Sequence, residues 1–511
     1  MKFRAVVAQL DRAVAFEAIG WGFESLRPRV LGVVVAIAAG LVYCLSLSHD
    51  VGFWDYGELQ TVPYILGLMH TTGFPTEILS GALFAHVVIL GSVAFRITLF
   101  CALCGVGAAA CCYAIALELG AQPVIAAAAA LAYALMRLTW SHAASADVMD
   151  EAVVLSAATL LCALIARRTG TFKYAAIAAI LGGLAVGTHA AVILYLPAAA
   201  VVLVAAYRKN WRAILLCAAI FLAVTAAGYA YLPVRSCQVE RQRLDPTRQL
   251  GLSPGMPIWD WGGPCKARDF VAVVTGRQAD APRGLRGYLA LRRYPHYAVF
   301  ALTQFGSPAE GAALVAAALL AFFAQPRATR KRSWILFVPL VLVTPFAAAF
   351  TTESDAARYY IFPALCLWIQ IAIGLAAVRR QLHTTALAAL GLLIVAFLWQ
   401  SRGLFEQRND RLGSTYIAAV KAATSDDAIV IAPWVDATPL AYAAYVERNF
   451  GRRFIVFGDA AAFPQQTRRW SRTRFVYEVA ERPSVANAAF VARLHLATDL
   501  DRDTKVFRLR Y

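Results

Sequence analysis

The sequence predicts an all-α polytopic membrane protein, with about eleven transmembrane helices and interfacial helices between them, that ends in a small C-terminal α/β extracytoplasmic domain. Three observations carry this. Of 511 residues, 60% are hydrophobic and only 15% charged, with a mean hydropathy of +0.59, far outside the usage of soluble proteins. Apolar runs close to the length needed to cross a bilayer recur along the first 400 residues. They stop after Trp399, where a strand, helix and strand pattern begins.

The stretch before the first run, residues 1–29, contains VAQLDRAVAFEAIGWGFESLR, which ends at Arg27. It resembles the translation of a transfer-RNA gene, the mark of a start assigned too early, and reads equally as a short amphipathic cytoplasmic helix. The membrane domain covers residues 30–400. Its spans are expected at Val30–Leu47, Val93–Leu117, Val124–Thr139, Val148–Ala166, Tyr174–Val186, Val192–Tyr207, Ile214–Leu232, Ala309–Ala324, Trp334–Phe350, Tyr359–Val378 and Thr385–Trp399. If these alternate, Arg167-Arg168, Arg208-Lys209, Arg330-Lys331-Arg332 and Arg379-Arg380 share one side, which the positive-inside rule makes cytoplasmic. Loops 48–92, 140–150, 233–308 and 351–358 and the domain 401–511 then face outward. The net charge of +17 is spread over loops and explained by topology, so nucleic acid is not an expected partner. Loop 233–308 carries Arg235, Arg241, Arg243 and Arg248 against the rule, which governs long loops weakly.

Within loop 48–92, Leu59–Met69 and Pro75–Leu90 read as two interfacial helices split by His70-Thr71-Thr72-Gly73-Phe74-Pro75. Eight of ten Cys lie in apolar spans as packing residues; Cys237 and Cys265 lie in the long outer loop, where an oxidising compartment favours a disulfide.

The chemistry-bearing residues collect on the outer side. Trp54-Asp55-Tyr56-Gly57-Glu58 places two carboxylates at a membrane edge, and no Lys or Arg occurs from Val30 to Phe95. Three residues apart, both acids reach one pocket, where a carboxylate serves as a general base; a capping box at the helix start accounts for the same spacing. Asp147, with Asp150 and Glu151 at i+3 and i+4, forms a second acidic turn. His70 and His189 read either as substrate contacts or as structural histidines. Arg137 pairs with an acid, Asp147 being the nearest in sequence, or with a lipid phosphate; Arg358, beside Tyr359 and Tyr360, presents the same choice.

These positions together resemble the glycosyltransferases of the GT-C superfamily, and more closely the transmembrane O-mannosyltransferase-like family, formerly a domain of unknown function. The hallmark appears as Asp55-Tyr56-Gly57-Glu58, Leu66-Gly67 and His70-Thr71-Thr72-Gly73-Phe74-Pro75. Further matches are Gly187-Thr188-His189, Tyr231-Leu232-Pro233-Val234-Arg235 and Trp259-Asp260-Trp261-Gly262. The chain departs from the family at Thr71 or Thr72, where Pro is usual, and at Thr76, where an apolar residue is usual. The resemblance implies a polyprenyl-phosphate sugar donor and an inverting transfer to an acceptor hydroxyl, with Asp55 as base and Glu58 supporting it. Arg358, His70 and Arg137 are then assigned to the donor phosphate, and Asp147, His189 and Trp54 to the acceptor pocket. No cofactor is assigned; a divalent metal, if used, falls to Asp55, Glu58 and Asp147. The expected partners are membrane lipids and a protein, lipid or glycan acceptor, and the expected location is a bacterial cytoplasmic (inner) membrane. A transporter or flippase of lipid-linked sugars is the alternative, disfavoured because ionisable groups sit at the outer edge rather than the midplane.

Overall fold

A computed structural model describes residues 28–277, 294–350, 356–494 and 503–511. The two readings of the N-terminal extension fall on residues 1–27, outside the described residues. Among those described, seven helices are long and apolar enough to cross a membrane: Pro28–Ser46, Val93–Glu118, Met149–Thr169, Trp211–Gln242, Arg327–Ala348, Ala356–Ala377 and His383–Gln400. Two further spans are bent pairs, Pro123–Leu135 with Arg137–Ala143 at 64° and His296–Thr303 with Pro308–Ala324 at 100°. With the shorter apolar helices Phe172–Val186 and Pro197–Tyr207, each expected run has a helix. Trp211–Gln242 continues beyond the expected end at Leu232, so the segment expected as a loop from 233 begins as a helix.

The hairpin between the first two long helices positions the site. We label Pro28–Ser46 α1, Trp54–Ile65 α2, Pro75–Val87 α3 and Val93–Glu118 α4. α2 begins at Trp54, five residues earlier than expected, so Asp55 and Glu58 lie in its first turns instead of in a loop before it. It ends at Leu66, whose left-handed φ of 52° turns the chain back. The carbonyls left open at this end are met from the helix Tyr231–Gln242: the Arg235 guanidinium donates to Leu66 O at 2.5 Å and Ile65 O at 3.1 Å, and the Tyr231 hydroxyl to Gly67 O at 3.0 Å. Arg235, one of the arginines expected to run against the positive-inside pattern, is thus a helix cap. α3 lays Leu79, Leu83 and Val87 on its exposed face, as an interfacial helix does. Pro75 opens it, and the Thr76 amide donates to Gly187 O at 2.9 Å, which ties the His189 loop to the hairpin.

The C-terminal domain holds a five-stranded sheet of order β2-β1-β3-β5-β4, with β1 Ile429–Ala432, β2 Phe454–Phe457, β3 Val476–Ala480, β4 Ala488–Arg493 and β5 Lys505–Leu509. β1 pairs in parallel with β2 and β3, while β5 runs antiparallel to β3 and β4. All four residues of β1 are buried, as an interior parallel strand requires.

The helix Trp434–Tyr445, between β1 and β2, packs on α2. A Cβ at Gly57 would sit 2.5 Å from Gly52 O and 2.9 Å from Thr438 Oγ1, so only glycine permits this approach. Tyr442 OH accepts from the Ala94 amide at 3.0 Å, and Asp50 Oδ2 accepts from the Ser414 amide at 2.9 Å. Tyr416, Leu440 and Tyr442 belong to the same apolar core as the membrane helices. Gly57→Ala is expected to cost about 1–3 kcal/mol by overpacking; thermal unfolding and limited proteolysis of the C-terminal domain, both shifted toward instability, check it.

Candidate active site

The site is built on the first two turns of α2 and the turn that follows it. Asp55 Oδ2 lies 3.3 Å from Arg358 Nη1, and Asp55 Oδ1 accepts from Trp434 Nε1 at 3.2 Å. The Asp55 side chain is 28% exposed and that of Arg358 14%. Glu58 is fully buried: Oε1 accepts from the His70 amide at 2.9 Å, and Oε2 makes a close contact with His70 Nδ1. The two carboxylates that look uncompensated in the sequence thus each have a cation, one from twelve residues on and one from 303 residues on.

Asp55, Tyr56, His70, Phe74, Asp147, His189 and Arg358 line one small cavity of about 10 Å³, room for roughly one water. Asp147 Oδ1 accepts from the Met149 amide at 2.8 Å at the start of Met149–Thr169, and its Oδ2 lies 4.0 Å from His142 Nε2. His189 Nδ1 accepts from the Ala191 amide at 3.0 Å, and its ring packs against Phe74 and Tyr359 at centroid separations of 5.3 and 5.5 Å.

Two expected site residues lie elsewhere. Arg137 is exposed and lines a separate apolar cavity of about 380 Å³ with Phe305, Trp368, Phe397 and Gln400; Asp147 faces His142 instead of this arginine. Trp54, in the left-handed region at φ 55° and 52% exposed, lies on the surface and does not line the cavity. Asp150 and Glu151 are buried away from Asp55, with Glu151 accepting from Ser80 of α3 at 2.9 Å. Cys237 and Cys265 are joined in a disulfide.

Two tryptophans complete the site. Trp434 and Trp261 meet edge to face at 4.8 Å, and each ring lies near His70, at 6.1 and 5.9 Å. Trp261 was marked by its motif; Trp434 was not. The available signal was its place just after β1, since ligands of parallel sheets gather at the carboxyl ends of strands.

Burial pushes the Asp55 carboxyl up, but His70, Arg358 and the Trp434 N–H outweigh it and hold it below its ordinary value. Burial raises Glu58, opposed by the His70 charge. For His70, burial favours the neutral ring, yet Glu58 and Asp55 raise its pKa to about 9. Burial, with Arg358 and His70 as like charges, drops His189 to about 3, so it is neutral at pH 7.

The His70 shift gives a prediction with a definite sign. Its charged form is fully present below the unfolded value of about 6.5 and is lost as pH rises through about 9. Activity is expected to show an alkaline limb near pH 9 that moves toward neutrality in Glu58→Gln; an unmoved limb in the pH–rate profile contradicts this.

Asp55, Glu58 and His70 also present one donor atom each within 4.8 Å of one another, the sole such group among the described residues. Asp147, expected as a metal contact, is not in it. Both Asp55 oxygens and both Glu58 oxygens are already engaged by Trp434, Arg358 and His70. The set therefore fits two ion pairs better than a metal centre.

Taken together, a multi-pass bundle, an interfacial hairpin carrying an acid pair, and a C-terminal α/β domain packed against it make up an architecture with a solved counterpart. Over 94% of its length the chain superposes on 97% of ArnT from Cupriavidus metallidurans, in a crystal structure bound to undecaprenyl phosphate, with a TM-score of 0.57 at 14% identity. Residues 55–212 match the family described as Protein O-mannosyl-transferase TMEM260 N-terminal domain. A 130-residue stretch is 32% identical to Protein O-mannosyl-transferase TMEM260 of Mus musculus, covering 25% of this chain and 18% of the mouse protein, so the chain matches about a fifth of that relative's length. The fold is that of ArnT, and the segment holding Asp55, Glu58, His70, Asp147 and His189 is similar to the O-mannosyl-transferase TMEM260 N-terminal domain. Arg358 and Trp434 lie beyond the matched segment.

Proposed function

We propose that the protein is an integral-membrane glycosyltransferase that moves a sugar, mannose in the first instance, from a polyprenyl-phosphate donor to an acceptor hydroxyl on the extracytoplasmic side. The observation that carries this reading is the pairing of Asp55 with Arg358 at the outer mouth of the bundle, beside His70 held cationic by Glu58. It joins a base to two cations suited to a phosphate in one small volume.

The acceptor hydroxyl gives its proton to Asp55 as its oxygen bonds to the anomeric carbon. The bond from that carbon to the phosphate oxygen breaks, and its electron pair leaves with the lipid phosphate. Arg358 and the His70 imidazolium stabilise the charge that develops there. One displacement inverts the anomeric centre. Arg358 is engaged with Asp55 Oδ2, so an arriving donor phosphate competes for the guanidinium and thereby frees the base. The 380 Å³ apolar cavity, with Arg137 and Gln400 among its walls, suits the isoprenoid chain; Phe305 on its wall packs against Tyr360, two residues from Arg358. Outward placement is supported by the basic residues of the opposite loops and by the Cys237–Cys265 disulfide.

The test is to reconstitute the purified protein in vesicles with polyprenyl-phosphate mannose and a Ser/Thr-rich peptide. Mannosylated peptide is the expected product. Movement of lipid-linked mannose across the vesicle without peptide mannosylation replaces this reading with a flippase.

A further inference from the structure

We infer that Trp434, delivered by the C-terminal domain, is a positioning residue for the Asp55 carboxylate, so that this domain is part of the catalytic unit. The inference rests on the reading of Asp55 as base. A carboxylate has two oxygens and turns freely about its Cβ–Cγ bond. Here each oxygen has its own donor: Oδ2 has Arg358 at 3.3 Å and Oδ1 has the Trp434 N–H at 3.2 Å. Once a donor phosphate draws Arg358 away, the indole N–H remains to fix the carboxylate plane and keep Oδ2 directed at the acceptor.

The indole is itself held. Pro433 caps the helix that starts at Trp434, and the ring is packed by Trp261 at 4.8 Å and Phe457 at 5.4 Å. One turn on, Thr438 meets Gly57, the glycine between the two acids, and two turns on Tyr442 OH accepts from the Ala94 amide. The glycine of the Asp-x-Gly-Glu motif thus has a physical reason: a side chain there would hold the Trp434 helix off α2. The groups facing Asp55 are His70 and Glu58 from the hairpin, Arg358 from the segment Ala356–Tyr360, Trp434 from the domain, and Asp147 and His189 across the cavity.

The test compares wild type with Trp434→Phe and with a full-length protein carrying 3-benzothienylalanine at 434, which keeps the ring shape and replaces N–H by sulfur. Each is assayed with polyprenyl-phosphate mannose and a Ser/Thr-rich peptide, alongside Asp55→Asn. Both position-434 variants are expected to lose about tenfold in kcat, to keep donor KM, and to move the acid limb of the pH–rate profile upward, because the carboxylate loses a donor. Unchanged melting temperature in the benzothienylalanine protein separates this from unfolding. Wild-type kcat and acid limb in that protein overturn the inference while leaving Asp55 as base. An active Asp55→Asn overturns the base reading itself.

Discussion

Asp55→Asn is expected to lower kcat by about 10²- to 10⁴-fold, the usual loss when a general base is removed. Donor affinity is expected to be unchanged or tighter. The amide keeps the shape of the side chain, and its oxygen still accepts from Trp434 Nε1. It no longer accepts a proton from the acceptor, and it carries no charge to compete with the donor phosphate for Arg358. A fall in kcat without a rise in donor Kd is the pattern that separates loss of a base from loss of a binding site. Peptide mannosylation in single turnover, with donor binding measured in parallel, reads both; parallel losses in kcat and donor affinity contradict the assignment.

The second large effect is expected from Arg358→Ala. Losing a charge-assisted contact to the phosphate weakens donor binding and transition-state stabilisation together, by about 10²-fold in kcat/KM. It also removes one of the charges that hold the Asp55 carboxyl low, so the acid limb moves to higher pH. Arg358→Lys restores the charge but not the forked geometry and is expected to recover only part of the loss. Equal donor Kd in wild type and Arg358→Ala, measured by equilibrium binding of the polyprenyl phosphate, removes Arg358 from the phosphate site.

What the sequence made legible is what depends on local pattern. Spans follow from runs of apolar residues close to bilayer length, so each expected run has a helix, and the break at Gly73-Phe74-Pro75 separates α2 from α3. The acids at 55, 58 and 147 and the histidines at 70 and 189 could be singled out as polar groups at an apolar edge. What was not legible is who compensates them. A stretch of 66 residues without Lys or Arg, from Val30 to Phe95, looks uncompensated in one dimension. Its counter-charges are His70, neutral by its ordinary pKa until Glu58 is beside it, and Arg358, brought in by the packing of a distant turn. Trp434 lies 379 residues from its acceptor, in a domain whose sequence shows a strand and helix but not what they dock against. Trp54 and Arg137 mark the converse limit: residue type and edge position named them, while the left-handed backbone at Trp54 and the bend between Pro123–Leu135 and Arg137–Ala143 direct them elsewhere. At Thr76 the backbone amide donates to Gly187 O and the side chain fills the space a Cβ at Gly187 would need, so Gly187 is held to glycine; nothing in the structure explains the hydroxyl itself.

The most direct measurement is the anomeric configuration of the product formed by the wild-type protein from polyprenyl-phosphate mannose, read by NMR. A single displacement with Asp55 as base predicts a configuration opposite to that of the donor. Retention would require a double displacement or a front-face attack and contradicts the account.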